Sequence, residues 1–152
     1  MIEDIIDEGS KQKIHVPGAV MTIGTLSIIG SSLWIVVLLL SVYFLMNELN
    51  GQYYYAQGAL LNLIYFIFAL LIVLNVLAII GAAKIMSGSK GAFLLYAITT
   101  GIWIFFMLYI SYSMVSEGIS KSIDPTLFVV SGISSILFVA LFGAQMKNMP
   151  IR

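Results

Sequence analysis

Polar and apolar positions along this chain fall into long blocks rather than a short-period alternation. Residues 14–47, 49–83, 91–116 and 125–146 contain no Asp, Glu, Lys or Arg. A helix needs roughly 20 mainly apolar residues to cross the hydrocarbon core of a bilayer, and each block is long enough. Barrel strands would be shorter and would alternate strictly. In lipid, every backbone polar group needs an internal partner, which a helix supplies within its own segment. The pattern predicts an all-α polytopic membrane protein with four transmembrane helices, at about 18–46, 57–84, 91–115 and 125–146.

The breaks between blocks set the organisation. Residues 1–16 are a polar lead in which Ile2, Ile5 and Ile6 share one side of a possible short helix; Pro17 and Gly18 mark the start of the first span. Asn47, Glu48, Asn50 and Gly51 form a first turn, Ser87 to Gly91 a second, and Glu117, Gly118, Lys121, Asp124 and Pro125 a third. Lys147 ends the transmembrane domain, taken as 17–147, and 148–152 form a short tail. These connections are short, so consecutive helices are expected to be antiparallel neighbours. The N-terminus opens acidic where a secretory leader is basic, so the first apolar block is expected to remain as a span.

Composition reinforces this picture. Hydrophobic residues make up 61% of the 152 positions and charged residues 9%, against about 25% charged in an ordinary soluble domain. One domain is expected. Net charge is zero and there is no basic run, so nucleic acid has no electrostatic footprint here. Absence of cysteine removes disulfides, thiolate catalysis and thiolate metal sites. The single histidine, His15, cannot supply a two-histidine haem site. No catalytic, metal or cofactor motif emerges, and Ser87 to Gly91 lacks the spacing of a phosphate-binding loop.

Charge placement predicts orientation. Lys11, Lys13, Lys84, Lys90, Lys147 and Arg152 fall on one side of the four-span arrangement, and only Lys121 on the other. Cytoplasmic loops carry the Lys/Arg excess, so both termini and the 84–91 turn are expected in the cytoplasm. Tyr53, Tyr54 and Tyr55, with Tyr43 and Tyr112 nearby, would then form an outer aromatic belt, and Tyr96 would sit near the inner interface.

Within the spans, small and polar side chains are the candidate contact residues. Gly24, Ser27 and Ser31 share a face of the first span; Asn75, Ala78 and Ala82 share one of the second; Gly132, Ser135 and Gly143 form a stripe on the fourth. Small residues let membrane helices approach closely, so these faces are expected to pack the bundle or to dock a homo-oligomer or another membrane subunit. Asn75 is the most polar side chain deep in a span. Its amide is expected to bond a hydroxyl from another helix, with Thr99, Thr100 and Ser134 as candidates by depth. Asn62 and Gln57 are read as boundary residues, and Trp34 and Trp103 as mid-membrane packing residues.

The stretch Gly81-Ala82-Ala83-Lys84-Ile85-Met86-Ser87-Gly88-Ser89-Lys90-Gly91, followed by Phe93, Leu95 and Tyr96, resembles the central hairpin of small uncharacterised four-span bacterial membrane proteins. The resemblance covers about a tenth of the chain. It implies the four-span architecture and carries over no functional residue.

No span contains an ionisable group of the kind that marks proton and ion paths. This weighs against a proton-coupled exchanger. The first functional expectation is a non-enzymatic accessory or scaffold subunit of a membrane complex, in a bacterial plasma membrane. The second is a small channel or transporter for a neutral or apolar solute. The bundle interior separates them: a packed apolar core favours the subunit, and a cavity reaching Asn75 favours transport.

Overall fold

The structure, a computed structural model, describes residues 16–49, 58–116 and 126–147. The polar lead with His15, Tyr53 to Tyr55, Gln57, the third turn with Glu117, Lys121 and Asp124, and the tail lie outside the described residues, as does the side chain of Glu48. Four α-helices account for nearly all of the rest: α1 Gly18–Leu49, α2 Gly58–Met86, α3 Ala92–Ser116 and α4 Thr126–Met146. All four are long and apolar enough to cross a membrane, and no strand occurs among the described residues. The chain is an integral membrane protein with an all-α fold.

The helices start and stop where local chemistry directs. Pro17, which has no N–H to offer, sits just before α1, and its carbonyl accepts from Val20 N at 2.9 Å and Met21 N at 3.3 Å. At the end of α2, Ser89 N donates to Lys84 O (3.0 Å) and Gly88 N to Ile85 O (2.9 Å). These are the paired bonds of a Schellman stop, which places its C′ residue in the left-handed region. Gly88 occupies that position with φ of 94° and supplies the conformation without a Cβ clash. Ser87 Oγ adds a bond to Lys84 O at 2.8 Å. The hairpin between α2 and α3 is therefore closed by its own backbone.

α1 packs along α2, α2 along α3 and α3 along α4, while α4 meets α1 only thinly. Contacts fix the antiparallel order: the start of α1 meets the end of α2 at Gly24 and Met86, and the start of α3 meets the end of α4 at Phe93 and Gly143. Two buried clusters follow. One lies at the hairpin end and centres on Val20, Ala82, Ile85, Tyr96 and Phe142. The other lies toward the far end and centres on Leu38, Leu71, Leu74, Trp103 and Met107. Outward positions are large and apolar, among them Leu33, Phe66, Leu94, Phe105 and Leu127. Lipid is as apolar as these side chains, so the bundle is held by close packing and interhelical hydrogen bonds rather than by apolar burial between helices.

Lipid-facing hydroxyls are satisfied locally. Thr22, Thr25 and Ser32 are exposed and Ser41 is half-buried, and each donates to the carbonyl four residues back, at 2.8–3.2 Å. Such back-bonding lets a serine or threonine face hydrocarbon without an orphaned donor. The exposed rings of Tyr43 and Tyr112 fit the expected belt positions, and Asn62 is exposed as a boundary residue should be. Lys84, Lys90 and Lys147 share the hairpin end of the bundle, as the antiparallel order requires.

Candidate functional site: a hydroxyl-lined cavity inside the bundle

The three small-residue faces all turn inward, but they do different things. Gly24 is buried, and a Cβ there would run into the Met86 side chain; Ala82 is fully buried in the hairpin-end cluster. Gly143 faces Phe93 Cζ, 3.4 Å from where its Cβ would lie. Gly132 is buried yet relaxed, with Leu108 Cδ2 at 3.5 Å. These positions pack helices. Ser27, Ser31, Asn75, Ala78 and Ser135 instead line a cavity of about 70 Å³.

Every helix contributes to this cavity. α1 presents Ser27, Gly30, Ser31 and Trp34; α2 presents Leu74, Asn75 and Ala78. Across from them, α3 presents Tyr96, Thr100 and Trp103, and α4 presents Ser131, Ser134, Ser135 and Phe138. Asn75 lies about 16 Å along α2 from Met86 at 1.5 Å per residue, near the midplane of a core about 30 Å thick. A cavity needs roughly 10–15 Å³, measured in the same way, to hold one water. This one has room for several, and its walls offer hydroxyl and amide partners.

The hydrogen bonds correct one sequence expectation. Asn75 does not bond a hydroxyl of another helix: its Nδ2 donates to Leu71 O, one turn back, at 2.9 Å. Two of the three named partner candidates behave alike. Thr99 Oγ1 donates to Leu95 O (2.9 Å) and Tyr96 O (3.1 Å), and Ser134 Oγ to Ser131 O (2.9 Å). The physical reason is that a helix carbonyl keeps a second lone pair within reach of the residue one turn ahead. Ser135 Oγ uses the same Ser131 carbonyl at 2.8 Å. Beyond its local bond, the Asn75 amide still carries a second N–H and a carbonyl oxygen.

The interhelical bond comes from elsewhere. Ser27 Oγ and Tyr96 Oη share a buried hydrogen bond of 2.8 Å between α1 and α3. Tyr96 lies about one turn into α3, at the hairpin end, and turns inward: it is 2% exposed, with Phe142 edge-on at 4.9 Å. Its backbone lies against Gly81, where a Cβ would meet Tyr96 Cβ at 3.0 Å and Cα and N at 3.1 Å. A glycine permits that approach of α2 to α3 without displacing either backbone. Trp34 and Trp103 do pack, edge to face at 5.3 Å, with Phe128 a further 6.2 Å from Trp34.

The cavity walls contain no Asp, Glu, Lys, Arg or His. Among the described residues, no group of His, Cys, Asp and Glu could hold a metal ion. Comparison with protein-family models, curated proteins and solved structures found no match for the chain. The functional argument therefore stands on the geometry of the bundle.

Proposed function

We propose that this is a non-enzymatic membrane protein that holds a small uncharged solute inside its bundle, as a channel or transporter does. The observation that supports this is the cavity at Asn75, walled by hydroxyls and an amide from all four helices and by no formal charge. A charge moved there would lose its hydration without a counter-charge, which is costly. A neutral solute would exchange water for wall hydrogen bonds. The closed clusters at either end describe an occluded arrangement, with solute access requiring a shift of helices.

The test is solute flux. In liposomes, the wild-type protein should raise permeability to a small neutral solute such as glycerol, read by light scattering after an osmotic step. Asn75→Leu should lower that flux while thermal stability in detergent stays within the ~1 kcal/mol scale of such side-chain bonds. An imposed pH gradient should drive no exchange, because the described spans carry no charged side chain at depth. Permeability no higher than in protein-free vesicles would end the transport proposal.

One observation favours a second role, as an accessory or scaffold subunit. The seam between α1 and α4 is thin, and a helix of another membrane protein or a second copy could cover it. Co-purification in mild detergent tests this: a stoichiometric companion would favour the subunit role. On either proposal, we place both termini in the cytoplasm, on the strength of the lysine and arginine distribution. A reporter inserted after Gly88 should read cytoplasmic.

A further inference from the structure

Along the bundle axis the cavity is flanked by packed aromatic pairs, and its weakest wall is at the side. Toward the hairpin end, Tyr96 and Phe142 stand edge to face, at 2% and 0% exposure. Toward the far end, Trp34 and Trp103 line the cavity and stand edge to face, with ring centroids 5.3 Å apart. Three of the four helix seams are extensive, and the α1–α4 seam is not. Ser134, on α4, both lines the cavity and is exposed on the outside of the bundle; Ser31 and Ser135 beside it are half-buried. Polar wall and outer surface are therefore continuous across this seam.

We infer that the cavity is a binding site for a neutral hydroxyl- or amide-bearing group that enters from the side, between α1 and α4. The inference deepens the solute proposal and rests on its cavity. Size and chemistry define the ligand class. A cavity of about 150 Å³ takes benzene, so 70 Å³ suits a group of only a few heavy atoms. Hydroxyls both donate and accept, and the Asn75 amide does so through separate atoms. The complementary group is therefore one that can do both, such as the vicinal diol end of glycerol or of a monoacylglycerol, with the rest of the molecule left in the side opening. A side opening admits such a group from two sources: as a free solute, or as the uncharged head of a lipid whose tail stays in the bilayer.

The natural absence of cysteine makes this directly testable. Single cysteines are placed at Ser134, on the seam, and at Ser32, on the lipid-facing side of α1. Maleimides react with thiolates, which form in water and not in hydrocarbon. In proteoliposomes, Ser134→Cys should react with N-ethylmaleimide about tenfold faster than Ser32→Cys. Glycerol, monooleoylglycerol and oleate are then compared as protectants, in the presence and absence of Asn75→Leu. Protection by either neutral compound, none by oleate, and loss of protection with Asn75→Leu support the site. Glycerol alone protecting assigns it to a free solute; monooleoylglycerol alone protecting assigns it to a lipid head. Equal reactivity of the two cysteines, equal protection by oleate, or protection that survives Asn75→Leu overturns it. The two proposals separate cleanly. Protection without glycerol flux ends transport and leaves the site standing, whereas flux without protection removes the site and leaves transport.

Discussion

The seam between α2 and α3 and the seam between α1 and α4 are built from similar residues and do opposite things. At the first, Gly81 brings one backbone against another at Tyr96, and Ala82 fills what remains. At the second, Ser31, Ser134 and Ser135 stand where a glycine or alanine could have drawn the helices together, and a cavity is left between them. Small side chains in a membrane helix thus have two uses. A bare Cα or methyl group permits contact. A hydroxyl can be satisfied by its own helix and still offer a lone pair to whatever occupies the space beside it.

The sharpest way to break this contrast is to add volume at the tight seam. Gly81→Ala puts a methyl 3.0 Å from Tyr96 Cβ and 3.1 Å from its backbone, which cannot rotate away. Overpacking of this kind costs about 1–3 kcal/mol, and thermal unfolding in detergent should show the largest loss of any single alanine substitution considered. Gly24→Ala meets side-chain atoms rather than backbone: Met86 Cγ and Sδ have to move with the whole side chain to another rotamer, at a cost of about 1 kcal/mol. Removing the bond that crosses the interior comes next. Tyr96→Phe takes the hydroxyl from Ser27, and interhelical bonds in membranes average about 0.6 kcal/mol, with a maximum near 1.7. The smallest effect, and a change of sign, belongs to Gly101→Ala. Nothing lies within 4 Å of its missing Cβ, so relief of glycine's conformational entropy should stabilise α3 by at most about 1 kcal/mol. If Gly81→Ala proved as mild as Gly101→Ala, the close approach of α2 to α3 would be wrong.

The architecture was legible because lipid imposes a coarse rule. Charge-free blocks became helices within a few residues of the expected limits, and the short Ser87 to Gly91 break became a backbone-closed hairpin. The inward faces were legible too, since Gly24, Ser27, Asn75, Ala78, Ala82 and Gly132 are all buried. What those faces surround was not. Periodicity tells which way a serine points, and not whether the helix opposite is near enough to touch it. Gly81 and Tyr96 both lay in the hairpin stretch singled out by resemblance, yet their contact depends on the register between two helices, which the pattern of one helix does not contain. The partner of Asn75 was missed for a simpler reason: the nearest acceptor was its own backbone.

The most direct measurement takes two positions on one stripe of α2, a single turn apart. Ala78, at the edge of the hairpin-end cluster, also lines the cavity, and Ala82 is sealed within that cluster at 0% exposure. Each is replaced in turn by cysteine in the naturally cysteine-free chain, and labelling by N-ethylmaleimide is followed in proteoliposomes. Cysteine at 78 should react about tenfold faster than cysteine at 82, since only the first thiol can ionise in contact with water. Equal rates at the two positions, in variants that unfold at similar temperatures, would mean that the bundle is uniformly packed and that the cavity does not exist in the membrane.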